Sequence, residues 1–285
     1  MLFFTVSRWY KKIRDKHTTP TSIKFMRTKQ KIIAIANQKG GVGKTTTAIN
    51  LSAALALSGK KVLLIDSDPQ GNASSGLGVV VDKNTDHLYQ SLTAKIPPDS
   101  VIRRSSVENL DIIPTNIDLV AAEIELISMV DREKQLSFVL SEITPSRYEF
   151  IFIDCPPSLG LLTVNALTAA DSVLIPMQCE YFAMEGLAQL VSTIRSVKKS
   201  FNPGLYIEGL LLTMFDKRNK LTHQVADEIS KHFANQLFKT VVPRNVRLSE
   251  SPSHGEAIFS YDNLSSGAKS YYALAKEFLE QQKDT

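Results

Sequence analysis

The residues best suited to chemistry in this 285-residue chain are two lysines, Lys39 and Lys44, which lie within the glycine-rich segment KGGVGKTT at positions 39–46. A usual phosphate-binding loop reads GxxxxGK[ST]; its Lys contacts the β- and γ-phosphates and its hydroxyl binds Mg²⁺. Here Lys44 and Thr45 match that pattern, but Gln38 stands at the first Gly position and Lys39 is an additional cation. The segment therefore predicts nucleotide binding, and Lys39 requires a role of its own.

The flanking residues predict the two elements that such a loop needs. Residues 32–36 are an apolar run typical of a buried strand. After the loop, Ala48, Leu51 and Leu55 recur at helical spacing, and Gly59 follows where a glycine ends a helix. Glycines let backbone N–H groups face phosphates, and a helix N-terminus favours anions.

Carboxylates follow two other predicted strands. Asp154 comes directly after the apolar residues 150–153, and Asp66 and Asp68 end the strand predicted at 61–65. Ligands of parallel sheets bind at the carboxyl ends of the strands. We expect Asp154 to support Mg²⁺ beside Thr45. One of Asp66 and Asp68 would order the attacking water and the other would support metal or loop, although a single strand-end Asp can also be a turn or helix cap.

Strand and helix patterns alternate along the chain. This predicts one α/β P-loop domain at 31–285, with a mostly parallel twisted sheet and helices on both faces. A loop-rich excursion is expected at 79–109. Further strands are predicted at 110–113, 172–176, 207–214 and 239–242, and helices at 119–140 (broken near Asp131), 187–197 and 271–278.

Composition limits the classes of protein. Hydrophobic residues make up 43% and charged residues 22%, as in globular domains, and no apolar run is long enough to predict a transmembrane helix. The only cysteines, Cys155 and Cys179, favour a reducing, cytoplasmic compartment and no CxxC metal motif is present.

The N-terminal 30 residues carry a net charge of +7, which leaves −3 for the rest of the chain. Three interpretations of this basic extension stay open. It is a disordered arm that touches nucleic acid or lipid, a short amphipathic helix around residues 3–13, or a start-site artefact upstream of Met26.

Four segments in order carry a resemblance to a known family. KGGVGKTT, LLIDSDPQGNASSGLG, IFIDCPPSLGLLTVNAL and VPRNVRLSESPSHG resemble the ParA family of chromosome- and plasmid-partitioning ATPases. That family belongs to the deviant Walker A clan, together with MinD and the nitrogenase iron protein. The resemblance spans about residues 31–280.

The resemblance implies roles for the nucleotide-site residues. Lys39 would reach the phosphates of the partner in an ATP-bound homodimer, Asp68 would position the attacking water, and Asp154 would be the Walker B acid. Asp66 would be supporting, and Mg²⁺ would be held by Thr45, Asp154 and Asp66. The residues implied to bind ATP are Lys39, Gly40, Gly41, Val42, Gly43, Lys44, Thr45, Thr46, Pro243 and Asn245.

The resemblance also implies partners: duplex DNA bound without sequence preference, and a ParB-like protein that stimulates slow hydrolysis. The implied location is cytoplasmic and nucleoid-associated. Arg218 and Arg247, with Lys217 and Lys220 beside them, match the DNA-contacting positions. Glu256 and Ala257 stand where Lys-Pro is common in the family, and Ser251 stands where Ala is usual. Glu256 would weaken a basic surface.

Two alternatives share the same switch. A MinD-like membrane ATPase ends in a basic amphipathic helix, but the last eight residues here, FLEQQKDT, carry little positive charge. A transcription regulator that binds without partitioning is the third interpretation.

Overall fold

The computed structural model describes residues 30–82, 84–144, 147–180 and 183–283, so the predictions for residues 1–29 lie outside the described residues. Within those ranges, seven strands form one sheet: β1 (Lys31–Ile35), β2 (Val62–Asp66), β3 (Arg103–Arg104), β4 (Leu110–Ile113), β5 (Phe150–Asp154), β6 (Ser172–Gln178) and β7 (Tyr206–Thr213). Their order across the sheet is β3-β4-β2-β5-β1-β6-β7. Every neighbouring pair is parallel except β3 with β4, which confirms the predicted fold class.

The central strands are buried apolar runs because helices cover both faces of a parallel sheet. Their register brings the ends of three strands to one level. Ile35 of β1 pairs with Asp154 of β5, and Asp154 also pairs with Asp66 of β2. The loops that follow these three strands therefore meet at one edge of the sheet, which we call the carboxyl edge.

Helices pack on both faces and create two apolar cores. The helices are α1 (Lys44–Leu57), α2 (Asn72–Gly76), α3 (Leu88–Leu92), α4 (Leu119–Ile127), α5 (Gln135–Glu142), α6 (Leu161–Ala169), α7 (Ala183–Ser200), α8 (Lys220–Phe233), α9 (Val246–Glu250), α10 (Ile258–Tyr261) and α11 (Ser266–Gln281). Residues of α3 to α8 belong to one core, and residues of α1, α2, α9, α10 and α11 belong to the other. Of the helices in the described ranges, none combines the length and apolarity needed to cross a membrane.

One predicted strand is wrong. Residues 239–242 are not a strand; only isolated bridges flank them, at Leu237 and Pro243. The reason is that the Glu277 carboxylate accepts the backbone N–H groups of Lys239 and Thr240, at 2.7 and 2.9 Å. These two amides are therefore not donated to a neighbouring strand.

Two regions show more detail than their sequence patterns predicted. The apolar stretch 119–140 is divided into α4 and α5, and Asp131 between them has a positive φ of 52°, so the predicted break is present. The excursion at 79–109 is mostly loop but contains α3, a 3-10 turn and the two-residue strand β3. The antiparallel pairing of β3 with β4 was not predicted, because two residues are too few for a periodic pattern.

Replacing Phe278 with Ala should lower the free energy of unfolding by about 3–5 kcal/mol. The Phe278 ring is fully buried and lies 5.5 Å from Phe150 and 5.9 Å from Phe152 between ring centroids, so its loss leaves a cavity against β5. Urea denaturation measures the change. Lys276→Ala, at an exposed position of the same helix, is the control and should change stability by less than about 0.5 kcal/mol. A loss below about 1 kcal/mol for Phe278→Ala would contradict this packing.

Candidate functional site

The glycine-rich loop connects β1 to α1 at the carboxyl edge. Gly41 and Gly43 have φ values of 74° and 85°, in the left-handed region that favours glycine, and Gly43 is the N-cap of α1. Neighbouring strands support the loop: the Thr213 hydroxyl donates to the Val42 carbonyl at 2.7 Å, and the Gln178 amide donates to the Gly41 carbonyl at 2.8 Å. The loop is thus held in shape by the ends of β6 and β7.

Lys44 is buried at the start of α1, and its ammonium donates to the Lys39 carbonyl at 3.1 Å. Burial lowers the pKa of Lys44, whereas the nearby Asp154, Cys155 and Asp68 raise it in part. A phosphate at the loop would stabilise this buried positive charge. The position and environment of Lys44 therefore suit a phosphate contact.

Lys39 has a different environment from Lys44. Its backbone N–H donates to Asn37 Oδ1 at 3.0 Å, and its ammonium pairs with Glu180, which follows β6. Both side chains are about half exposed, at 45% and 49%, so this ion pair contributes about 1 kcal/mol or less. Lys39 is held at the surface of the site by a contact that is easily broken.

Asp154 at the end of β5 suits a cation. It is fully buried, and neither carboxylate oxygen has a hydrogen-bond partner among the described residues. Burial, followed by the charge of Asp66, raises the pKa of Asp154 well above its usual value; the adjacent Thr45 hydroxyl lowers it. An unsatisfied buried carboxylate beside a hydroxyl fits Mg²⁺, which uses one or two carboxylates plus substrate phosphates.

Asp66 and Asp68 have different surroundings, although they are two residues apart. Asp66 is fully buried, and it accepts hydrogen bonds from the Ser74 N–H and hydroxyl at 2.7 and 2.6 Å and from the Asp68 N–H at 3.3 Å. Burial raises the pKa of Asp66 to about 7. Asp68 lies in the following turn, where it accepts the Gln70 N–H at 3.0 Å. These contacts favour Asp66 as a residue that shapes the loop, and metal binding by Asp66 stays a prediction.

Pro243 forms an isolated bridge with Phe215, which follows β7, and Asn245 lies two residues further along the chain. Asn245 is the N-cap of α9: it accepts the Leu248 N–H at 3.3 Å and donates to the Ser266 hydroxyl at 2.7 Å. Its side chain therefore fixes the start of α9 and its link to α11. The predicted contact of both residues with adenine stays a prediction.

The predicted DNA-binding residues fall on two exposed segments that the Phe215–Pro243 bridge connects. The Arg218 side chain is 92% exposed and pairs with Asp216 at 3.2 Å. Arg247 pairs with Glu250 at 2.9 Å and with Asp262 at 3.5 Å. Lys217 and Lys220 are exposed beside Arg218. Arg247 is thus partly neutralised within its own chain, whereas the segment 217–220 is the more available basic surface.

Three site residues were missed from the sequence: Gln178, Glu180 and Thr213. Glu180 lies two residues after the end of β6, as Asp68 does after β2, so the rule that ligands bind where parallel strands end could have found it. The side chains of Gln178 and Thr213 support the loop by donating hydrogen bonds to its backbone carbonyl groups. Such contacts leave no mark in the sequence beyond a polar residue at the end of a strand.

A glycine loop between a central parallel strand and a helix, with carboxylates at two adjacent strand ends, defines a P-loop nucleotide-binding protein. In agreement, residues 30–207 match the family model described as an AAA domain. A solved structure of cobyrinic acid a,c-diamide synthase from Mycobacterium smegmatis, with bound ATP analog and magnesium, is similar with a TM-score of 0.78 and 35% identity. It covers 89% of this chain and 96% of that chain.

Two relatives with high sequence identity show which family of P-loop proteins the chain belongs to. The chain is 56% identical over 247 residues to the sporulation initiation inhibitor protein Soj of Bacillus subtilis (strain 168), covering 87% of this chain and 97% of Soj. It is 52% identical over 251 residues to the chromosome partitioning protein ParA of Myxococcus xanthus (strain DK1622), covering 88% of each. The chain belongs to the ParA/Soj family, which confirms the resemblance stated from the four motifs.

Proposed function

We propose that this protein is an ATP-hydrolysing chromosome-partitioning switch whose ATP-bound homodimer binds DNA. The observation that carries the proposal is Lys39, a second loop lysine whose ammonium lies at the surface and, among the described residues, pairs only with the exposed Glu180. Lys44 is already buried at the start of α1, where we propose that it contacts the phosphates of its own nucleotide. A surface cation at the mouth of a phosphate site is well placed to contact the nucleotide of a second copy.

The chemistry proposed for the site is hydrolysis of the terminal phosphate of ATP. The backbone N–H groups of residues 40–46 and the Lys44 ammonium would hold the phosphates, and Thr45 and Asp154 would hold Mg²⁺. When bound, Mg²⁺ neutralises the charge that develops on the phosphate oxygens. Asp68, in the turn beside Asp66, orients the attacking water. Asp66 keeps that turn in place through Ser74.

The DNA contact is proposed for the exposed segment 217–220 together with Arg247. Arginine and lysine contacts with phosphates need no base readout, so binding would be independent of sequence and strongly dependent on salt. The names of the Myxococcus relative and of the chromosome-partitioning ATPase Soj of Treponema pallidum support partitioning as the cellular role. A ParB-like partner that stimulates slow hydrolysis, and a nucleoid location, belong to the same proposal.

Filter binding to duplex DNA and sedimentation with anionic liposomes, each with ATP and with ADP, test the function. We expect DNA binding with ATP only and no binding to liposomes. Liposome binding with ATP, in the absence of DNA binding, would instead support the MinD-like alternative. DNA binding that is equal with ATP and ADP would contradict a nucleotide switch.

Replacing Arg218 with Ala should weaken ATP-dependent DNA binding uniformly across sequences and reduce the slope of log K against log salt by about 1. The reason is that one phosphate contact, and the counterions that it releases, are lost. Filter binding between about 50 and 200 mM salt measures the slope. Lys199→Ala, an exposed lysine at the far end of α7, is the matched control and should leave the slope unchanged. An unchanged slope for Arg218→Ala would remove Arg218 from the interface.

A further inference from the structure

A row of large apolar side chains is exposed on and around α4. Ile117, Val120, Ile124, Ile127 and Val130, which we call the α4 stripe, are 44–75% exposed. Val120, Ile124 and Ile127 are separated by four and three residues, which places them on one side of α4, and Ile117 and Val130 lie in the turns at its two ends. The exposed area is roughly 500 Å², within the range of the largest apolar patches on single proteins, which are often functional.

The α4 stripe is not needed to hold α4 in the fold. The opposite side of the helix carries Leu119, Ala122 and Leu126, which are fully buried in the core that α4 shares with α6. An ordinary surface helix has polar residues where the stripe lies. A second surface is therefore the simplest physical reason for apolar side chains on both sides of α4.

The stripe begins at the carboxyl edge, next to the loops that carry the site. Ile117 lies four residues after the end of β4 and lines a groove with Pro69 and Gln70, which follow Asp68. On α4 itself, Glu123 contacts the loop after Asp154 so closely that a Cβ at Gly160 would come within 2.6 Å of its Oε1. The α4 stripe is thus continuous with the surface that a second copy must approach.

We propose that the α4 stripe packs against a second copy of this chain when ATP assembles the dimer. The inference rests on the proposed function, because Lys39 is what brings the second copy to the carboxyl edge. A stable interface buries about 800 Å² on each partner, and the stripe alone supplies more than half of that area. In a two-fold dimer the same patch lies on both subunits, so one stripe serves both sides.

Charges beside the stripe permit this contact. Glu125 is paired with Lys95 at 3.4 Å and also accepts the Tyr89 hydroxyl. Asp131 is paired with Lys134 at 3.0 Å. Two of the flanking carboxylates are therefore neutralised within their own chain, which reduces the repulsion between identical surfaces.

The test is Ile124→Lys, with dimerisation measured by sedimentation velocity in the presence of a slowly hydrolysed ATP analogue. We expect the dimer dissociation constant to rise by about tenfold or more, because a charge would be buried in an apolar contact. Binding of a fluorescent ATP analogue to the monomer should be unchanged. Leu57→Lys is the matched control: Leu57 is an exposed apolar residue at the far end of α1, roughly 20 Å from the loop, and this variant should dimerise like the wild type.

A second variant, Ile127→Lys, should weaken the dimer in the same way, and circular dichroism verifies that each variant is folded. If the wild type dimerises with the analogue and both stripe variants dimerise equally well, the inference is wrong while the proposed function stands. If both variants dimerise but lose stimulation by a partner protein, the stripe belongs to that partner and the inference is again wrong. A wild type that stays monomeric with the analogue would overturn the proposed function and, with it, the inference.

Discussion

Replacing Asp68 with Ala should reduce the rate of ATP hydrolysis by about 100-fold or more, while ATP binding and ATP-dependent dimerisation persist. Asp68 lies in the turn after β2, close enough to Lys44 for its charge to act on the lysine pKa. It is nearly buried and accepts only a local N–H, from Gln70, among the hydrogen bonds of the described residues. Its loss therefore removes a water-orienting carboxylate and leaves the phosphate loop intact.

The measurement has two parts, phosphate release for the rate and sedimentation velocity with ATP for the dimer. The ATP-bound dimer of Asp68→Ala should be longer-lived than that of the wild type, because ATP hydrolysis no longer leads to its dissociation. Asp227→Ala, an exposed carboxylate on α8, serves as the control and should hydrolyse ATP at the wild-type rate. Wild-type hydrolysis by Asp68→Ala would show that another group positions the water.

Replacing Lys39 with Ala should weaken the ATP-dependent dimer by about 30-fold or more and abolish DNA binding with it. The expected size is that of removing one partner from a charge pair that is buried when two subunits meet. Binding of ATP to the monomer should change little, because Lys44 and the backbone of the loop stay in place. Sedimentation velocity with ATP and titration with a fluorescent ATP analogue measure the two steps separately.

Glu180→Gln separates the contact between subunits from the contact within one chain. That variant breaks the ion pair with Lys39 but keeps the lysine, so it should dimerise at least as well as the wild type. Were Glu180→Gln and Lys39→Ala to lose dimerisation to the same extent, the pair within the chain would be the important contact. The role of Lys39 across the interface would then be wrong.

Much of the architecture follows from local patterns. Apolar runs such as residues 150–153 predict buried strands because covered parallel strands are apolar on both faces. The wrong strand at 239–242 shows the limit of that rule. The amides of Lys239 and Thr240 donate to Glu277, 38 and 37 positions away, and no local pattern contains that partner.

The sequence predicted which residues lie at the candidate site, but it did not predict which contacts each carboxylate makes there. The spacing of Asp66 and Asp68 allowed both to point toward one ligand. In the fold, Asp66 is committed to Ser74, whereas both oxygens of Asp154 are unsatisfied among the described residues. Which carboxylate is satisfied depends on contacts between segments that are distant along the chain.

By itself, the sequence determined the α/β class, the phosphate loop with its additional lysine, and the family. Glycine, lysine and hydroxyl residues at this spacing are typical of a loop that binds phosphate groups, so the local sequence is enough to predict it. Only the tertiary structure decided which apolar residues of 117–130 are buried and which form the α4 stripe. Both sides of that helix are apolar, so periodicity cannot rank them. Which side of a helix is buried depends on the elements that pack against it, and those contacts form only when the chain folds.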